Sequence, residues 1–172
     1  MVWSKLKKNI ENNFSESLGD RVKLYTTTYG SNYDVQDLYN RGWITVDGIE
    51  VVNFSTPEAF FMYRRDLNVT TPTQYPVNTV TKEHVNRTQK RLTEKGEFSK
   101  YDLTYCCSAF LSISIEEAME HESPIIQMLA VLDKRLGKRR LAVLDEKELH
   151  PLVRYFLDLR LNAEGIKNRT VK

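Results

Sequence analysis

The stretch 123–140, SPIIQMLAVLDKRLGKRR, constrains the fold of this 172-residue chain more than any other. Ser123 followed by Pro124 signals a helix start. A serine oxygen there accepts an orphan backbone N–H, and proline has no N–H to lose in the first turn. Ile125, Met128, Leu129, Leu132 and Leu136 then recur at helical spacing, within roughly a 100° arc. Ile126, Ala130 and Val131 fall outside that arc, so the helix is apolar on nearly every side through its first two turns. Such a helix belongs in a core, with other elements packed around it. Gly137 is the expected stop, since glycine adopts the left-handed conformation without steric cost. Five of the seven residues 134–140 are basic, and a helix end at Gly137 places them where the dipole favours cations.

The length allows one domain with a proper core, which sets the expected range at 1–172. A net charge of +2 is too small to imply a nucleic-acid or membrane partner, so electrostatic arguments rest on local clusters. No apolar run at the N-terminus resembles a signal peptide, and no stretch has the length of a membrane span. Cytoplasmic residence is therefore expected, with no membrane partner. The two cysteines, Cys106 and Cys107, are adjacent. That spacing strains a mutual disulfide, and free thiols fit a reducing compartment.

Taken in order, Trp3, Leu6, Ile10, Phe14 and Leu18 predict an amphipathic helix ended by Gly19. Lys5, Lys7 and Lys8 in its front half run against the dipole. Residues 22–29, VKLYTTTY, change to a β-rich composition and predict a strand. After a polar, tyrosine-bearing loop, Asp47-Gly48 separates two further β-rich runs and predicts a hairpin. A second helix is expected over 56–67, a loop over 69–80, and a polar helix over 81–95. Segment 69–96 has few large apolar residues, which predicts a mobile or partner-facing flap. Residues 98–110 suggest another helix, Ser114 to Glu117 matches a capping box, and 141–144 reads as a strand or connector. His150-Pro151 opens a last helix, followed by a polar tail over 166–172.

The expected class is α+β. An N-terminal helix lies on a small three-stranded antiparallel sheet (1–55), and a helical second half (56–165) is built around the central apolar helix.

Chemistry is sparse. His84, His121 and His150 have no metal-ligand spacing and no partner motif, so neither a metal site nor a cofactor is expected. His121 ends an acidic helix, where its positive form suits the dipole. Cys106 or Cys107 is a nucleophile only if a histidine lies near, and their apolar neighbours favour a buried role. Glu116, Glu117, Glu120 and Glu122 form an acidic cluster. It suits either acid–base chemistry or ion pairs with the basic run. Lys134, Arg135, Lys138, Arg139 and Arg140, with Arg154, Arg160 and Lys167, suggest a positive face for phosphates or an acidic protein. Tyr29, Tyr33, Tyr39 and Trp43 are the aromatic candidates for a contact surface, with Tyr25 beside them.

Several blocks, WSKLKKNIE, GWITVDGIEVVNF, FLSISIEEAMEHESPIIQMLAVLDKRLGKRRL and HPLVRYFLDLR, together resemble an uncharacterised family of small bacterial cytoplasmic proteins. The resemblance implies a bacterial cytoplasmic origin and supplies no activity, cofactor or catalytic residue. The functional expectation is a non-enzymatic protein-binding module using Tyr29, Tyr33, Tyr39, Trp43, Glu116, Glu120 and the basic run. Its concrete form is an immunity or antitoxin-type protein that occludes a toxin domain. A slightly basic chain argues against a nuclease partner unless the Glu116–Glu122 face makes the contact. The alternatives are a nucleic-acid-associated protein using residues 134–140, and an enzyme with a cysteine or glutamate active group.

Overall fold

The computed structural model describes residues 2–27, 41–55, 98–144 and 147–166. The expected helices at 56–67 and 81–95, the flap at 69–96, and most of the tail lie outside the described residues. So do Tyr29, Tyr33, Tyr39, His84 and Lys167.

Helix α1 spans Trp3–Glu11 and buries Leu6 and Ile10. It is shorter than the apolar spacing predicts. Phe14 leaves the helix for an antiparallel bridge to Asp133, and Leu18 is buried in a 3-10 turn, Glu16–Leu18. Because α1 stops at Glu11, Lys8 lies in its last turn, where the dipole favours a cation.

The sheet has the order β1 (Val22–Thr27), β2 (Arg41–Val46), β3 (Ile49–Ser55), antiparallel throughout. The hairpin forms at Asp47-Gly48 as expected. Both residues have positive φ, 52° and 80°, which matches the right-handed twist of the flanking strands. Val22, Leu24, Ile44 and Phe54 are buried on the inner face. A Cβ added at Gly42 would lie 2.8 Å from Leu103 Cδ2, so β2 approaches the next helix closely enough that any larger residue must displace the buried Leu103 side chain.

That helix, α2 (Lys100–Phe110), starts at a capping box of Ser99 and Asp102. The second box, Ser114 with Glu117, opens α3 (Ile115–Met119) as predicted. Helix α4, Pro124–Leu132, is the apolar centre of the helical half and packs against α2, α3 and the last helix. Ile125, Ile126, Met128, Leu129, Val131 and Leu132 are all at most 1% exposed, so every side of the helix is covered. Burial contributes roughly 1.5–3 kcal/mol for each large apolar side chain.

Both ends of α4 differ from expectation. At the start, Ser123 makes no side-chain cap; its hydroxyl lies 3.3 Å from Cys106 Sγ. Its backbone N–H instead donates to His121 Nδ1 at 2.9 Å. The ring nitrogen is thus an acceptor, and His121 holds the turn that leads into α4.

At the other end the helix stops at Leu132, with Asp133 extended. Leu136 is buried beyond it, in the turn. Gly137 does not terminate α4. Its carbonyl accepts from Arg140 and Leu141 N–H and so begins α5, Lys138–Leu144. The stretch 141–144 is therefore helical. Helix α6, Pro151–Ala163, opens as expected at His150-Pro151, with His150 Nδ1 accepting the Leu152 N–H as its cap.

The sheet and helices share one hydrophobic core. The observed architecture is an N-terminal helix on a three-stranded antiparallel sheet, followed by helices packed around α4.

Candidate functional site

Period-two alternation places Arg41, Trp43 and Thr45 on the outer face of β2, opposite the buried Ile44. Tyr25 on β1 is the direct cross-strand partner of Trp43. Their rings stack with centroids 5.1 Å apart and planes 10° from parallel. Lys7 Nζ of α1 lies 4.3 Å from the Tyr25 ring centroid, and the Arg41 guanidinium lies 4.7 Å from that of Trp43. Arg41 continues to β3, where its Nε donates to Asn53 Oδ1 at 3.0 Å and its guanidinium pairs with Glu50. Lys7 is also 3.7 Å from Glu11 Oε1, and that oxygen accepts the Leu24 N–H at 2.8 Å. Glu11 thereby covers a donor on the outer edge of β1.

A ladder of two stacked rings between two cations therefore crosses the sheet from α1 to β3. Stacking and cation–π contacts each contribute about 0.5–1.5 kcal/mol. They hold the rings in one orientation. The cations at the two ends of the stack, Lys7 and Arg41, have side chains 25% and 33% exposed, so the ladder reaches the surface. At the β2–β3 bulge beside it, Thr45 Oγ1 is buried without a hydrogen-bond partner among the described residues.

Trp43 is the predicted site residue found in this ladder. Tyr25 and Lys7 carried weaker signals: one is a tyrosine inside a strand, the other a lysine on an amphipathic helix. Arg41 was not predicted. The cross-strand register brings these residues together, and pairing of that kind is not visible in a single sequence.

The basic run has a different fate. It spans a turn and the start of α5, so it is not one helix end. Arg135 chelates the buried Asp133 carboxylate with contacts of 3.0 Å to each oxygen. Lys134 Nζ donates to the Asn12 carbonyl, Lys138 lies 3.4 Å from Glu164, and Arg140 pairs with Glu116 at 2.7 Å. Lys147 lies 3.8 Å from Glu120. Arg139 is exposed and makes no such contact among the described residues.

Glu116 and Glu120 are thus ion-pair partners of basic residues. The Arg140 pair contributes to holding the Glu116 carboxyl below the usual carboxylate range, after backbone hydrogen bonding. Arg160 is a correction. It does not join a positive surface: it is 2% exposed and points inward.

The thiols are buried. Burial pushes Cys106 up to about 11, against the smaller effect of the Ser123 hydrogen bond, and burial pushes Cys107 higher still. At pH 8 the Cys106 thiolate is roughly 100-fold scarcer than at the unperturbed value of 9.0. Native protein is accordingly expected to react with iodoacetamide at least about 100-fold more slowly than urea-unfolded protein. Equal rates would show that burial does not suppress the Cys106 thiolate, and a faster native rate would show Cys106 to be activated.

Among the described residues, no three His, Cys, Asp or Glu side chains gather as a metal site. None of the described helices is long and apolar enough to cross a membrane. What the fold and ladder define is an α+β protein with a rigid aromatic–cation surface. Residues 2–161 match the SF0329 protein family, and the chain belongs to it. No curated protein and no solved structure matches it.

Proposed function

We propose that this is a non-enzymatic protein-binding module of the bacterial cytoplasm, with the Tyr25–Trp43 ladder at the centre of its contact face. The observation carrying this reading is the ladder itself. Tryptophan, tyrosine and arginine dominate the energetics of protein interfaces, and they do so best when held rigid before binding. Here Lys7 and Arg41 fix the rings from either end. The same contacts leave ring edges rather than open ring faces for a partner. That suits a protein better than stacked nucleobases, which need a free face. Internal pairing of Arg135, Lys138 and Arg140 also reduces the charge that residues 134–140 offer to a phosphate backbone. Free, buried cysteines fit a reducing compartment. The narrower form of the proposal is an immunity or antitoxin-type protein whose partner is a toxin domain.

Affinity capture from a nuclease-treated host lysate, read by mass spectrometry, tests this. One protein is expected at stoichiometric yield with the wild type and is expected to be lost with Trp43→Ala. A partner retained by Trp43→Ala would move the contact off the ladder. Loss of every partner on nuclease treatment would replace the proposal with nucleic-acid binding.

A further inference from the structure

Next to the ladder, a cleft of about 250 Å³ runs between α1 and β1. Phe14 and Val22 line it together with three lysines, Lys7, Lys8 and Lys23. Two carboxylates also line it, Glu11 and Asp20, and both are already engaged. Glu11 accepts the Leu24 N–H and faces Lys7, and Asp20 accepts from Lys23 at 2.6 Å. The Lys8 side chain is exposed and has no ion-pair or hydrogen-bond partner among the described residues. Lys5, one turn earlier on the same helix, is in the same state. The cleft and its rim therefore carry uncompensated positive charge.

Building on the protein-binding reading, we infer that this cleft receives an acidic side chain from the partner, with a glutamate or aspartate carboxylate seated between Lys8 and Lys23. Charge complementarity sets the sign of the occupant. Its chemistry is set by the donors. Lysines are single point charges suited to one carboxylate, whereas no guanidinium fork among the described residues lines the cleft to grip a phosphate bidentately. The last carbonyls of α1, near Asn12, also disfavour a dianion more than a monoanion. Lys7 joins this cleft to the Tyr25 ring, so an acidic residue here and an apolar one at Trp43 are contacts one continuous segment can make together.

The test is an amide NMR titration of the full chain with a blocked glutamate decapeptide. A glutamine decapeptide and a ten-nucleotide oligothymidylate serve as the comparison probes. Saturable shifts are expected for amides of 4–12 and 19–23, with none from the glutamine peptide. A Lys8→Glu/Lys23→Glu variant is expected to bind at least about tenfold more weakly, while Arg139→Glu on α5 binds as the wild type does. Shifts centred on 134–140, absent shifts, equal binding of the glutamine peptide, or tighter binding of the oligonucleotide would each overturn the inference.

Capture from lysate separates this inference from the reading beneath it. A partner retained by Lys8→Glu but lost with Trp43→Ala removes the acidic contact and leaves the module standing. Capture of no partner removes the module itself, whatever the peptide does.

Discussion

Arg160→Ala is expected to lower unfolding free energy by about 3–5 kcal/mol, measured by urea denaturation at neutral pH. Arg160 is buried on α6, yet every donor direction used is satisfied. Its Nη1 donates to the carbonyls of Val131 and Asp133 at 2.7 and 2.9 Å, and its Nη2 donates to Leu136 at 3.0 Å. Its Nε donates to Glu164 Oε1 at 3.0 Å. These carbonyls belong to the end of α4 and the turn after it, where helical hydrogen bonding has run out. One guanidinium thus closes the C-terminus of the central helix from the side.

Removing it leaves buried acceptors unpaired and the Glu164 carboxylate with only the more exposed Lys138 as a cation. That is the costly way to break such a network. Arg160→Lys is expected to recover only part of the loss, because an ammonium cannot span carbonyls that a planar fork reaches together. A loss below about 1 kcal/mol in Arg160→Ala would mean that water replaces the guanidinium without penalty, and that the turn holds itself.

The same turn explains what the sequence made legible and what it hid. Asp47-Gly48 and Ser114-x-x-Glu117 act through backbone geometry a few residues wide, so their chemistry can be read directly. The burial of α4 was legible for a similar reason: a helix apolar on every side has nowhere to go but the core.

The end of α4 was not legible. Apolar spacing runs on to Leu136, and Gly137 looks like a stop. The chain turns at Asp133 because that carboxylate accepts the Arg135 N–H at 2.7 Å while a distant arginine takes the freed carbonyls. The bridge from Phe14 fixes the same place from the other side, with Ser15 N–H donating to Leu132 and Lys134 N–H to Asn13. That bridge also ends α1 earlier than its periodicity predicts. The arginine and the bridge each lie more than 20 residues away in sequence. Read from the sequence, Arg160 therefore fell on a positive face with the other cations. Of the ladder, only Trp43 and Tyr25 stood out, as aromatics near a loop. What joins them to Lys7 and Arg41 is cross-strand register and helix docking.

Glu164 gives the second large effect, and it is conditional on pH. Burial raises its carboxyl, but hydrogen bonds from Arg160, Ser17 and Ser15 outweigh that and bring it down to about 2 from 4.5. A carboxyl lowered in the folded state stabilises above its unfolded value, and that contribution is lost as pH falls through the folded value. The window is therefore from about 4.5 down to about 2. Glu164→Gln is expected to be about 2 kcal/mol less stable than wild type at pH 7, after allowing for solvent at the rim of the site. The gap narrows below pH 4.5 and closes near pH 2.

In an Arg160→Ala background the same substitution is expected to cost much less, because the charge it removes has already lost its principal partner. Parallel urea titrations of the four proteins of this cycle, at pH 7 and pH 3, measure both the coupling and its loss with acid. A gap between Glu164→Gln and wild type that stays constant from pH 7 to pH 3 would show that Glu164 acts through its shape and not its charge. The closure of α4 would then rest on the Arg160 contacts to the carbonyls alone.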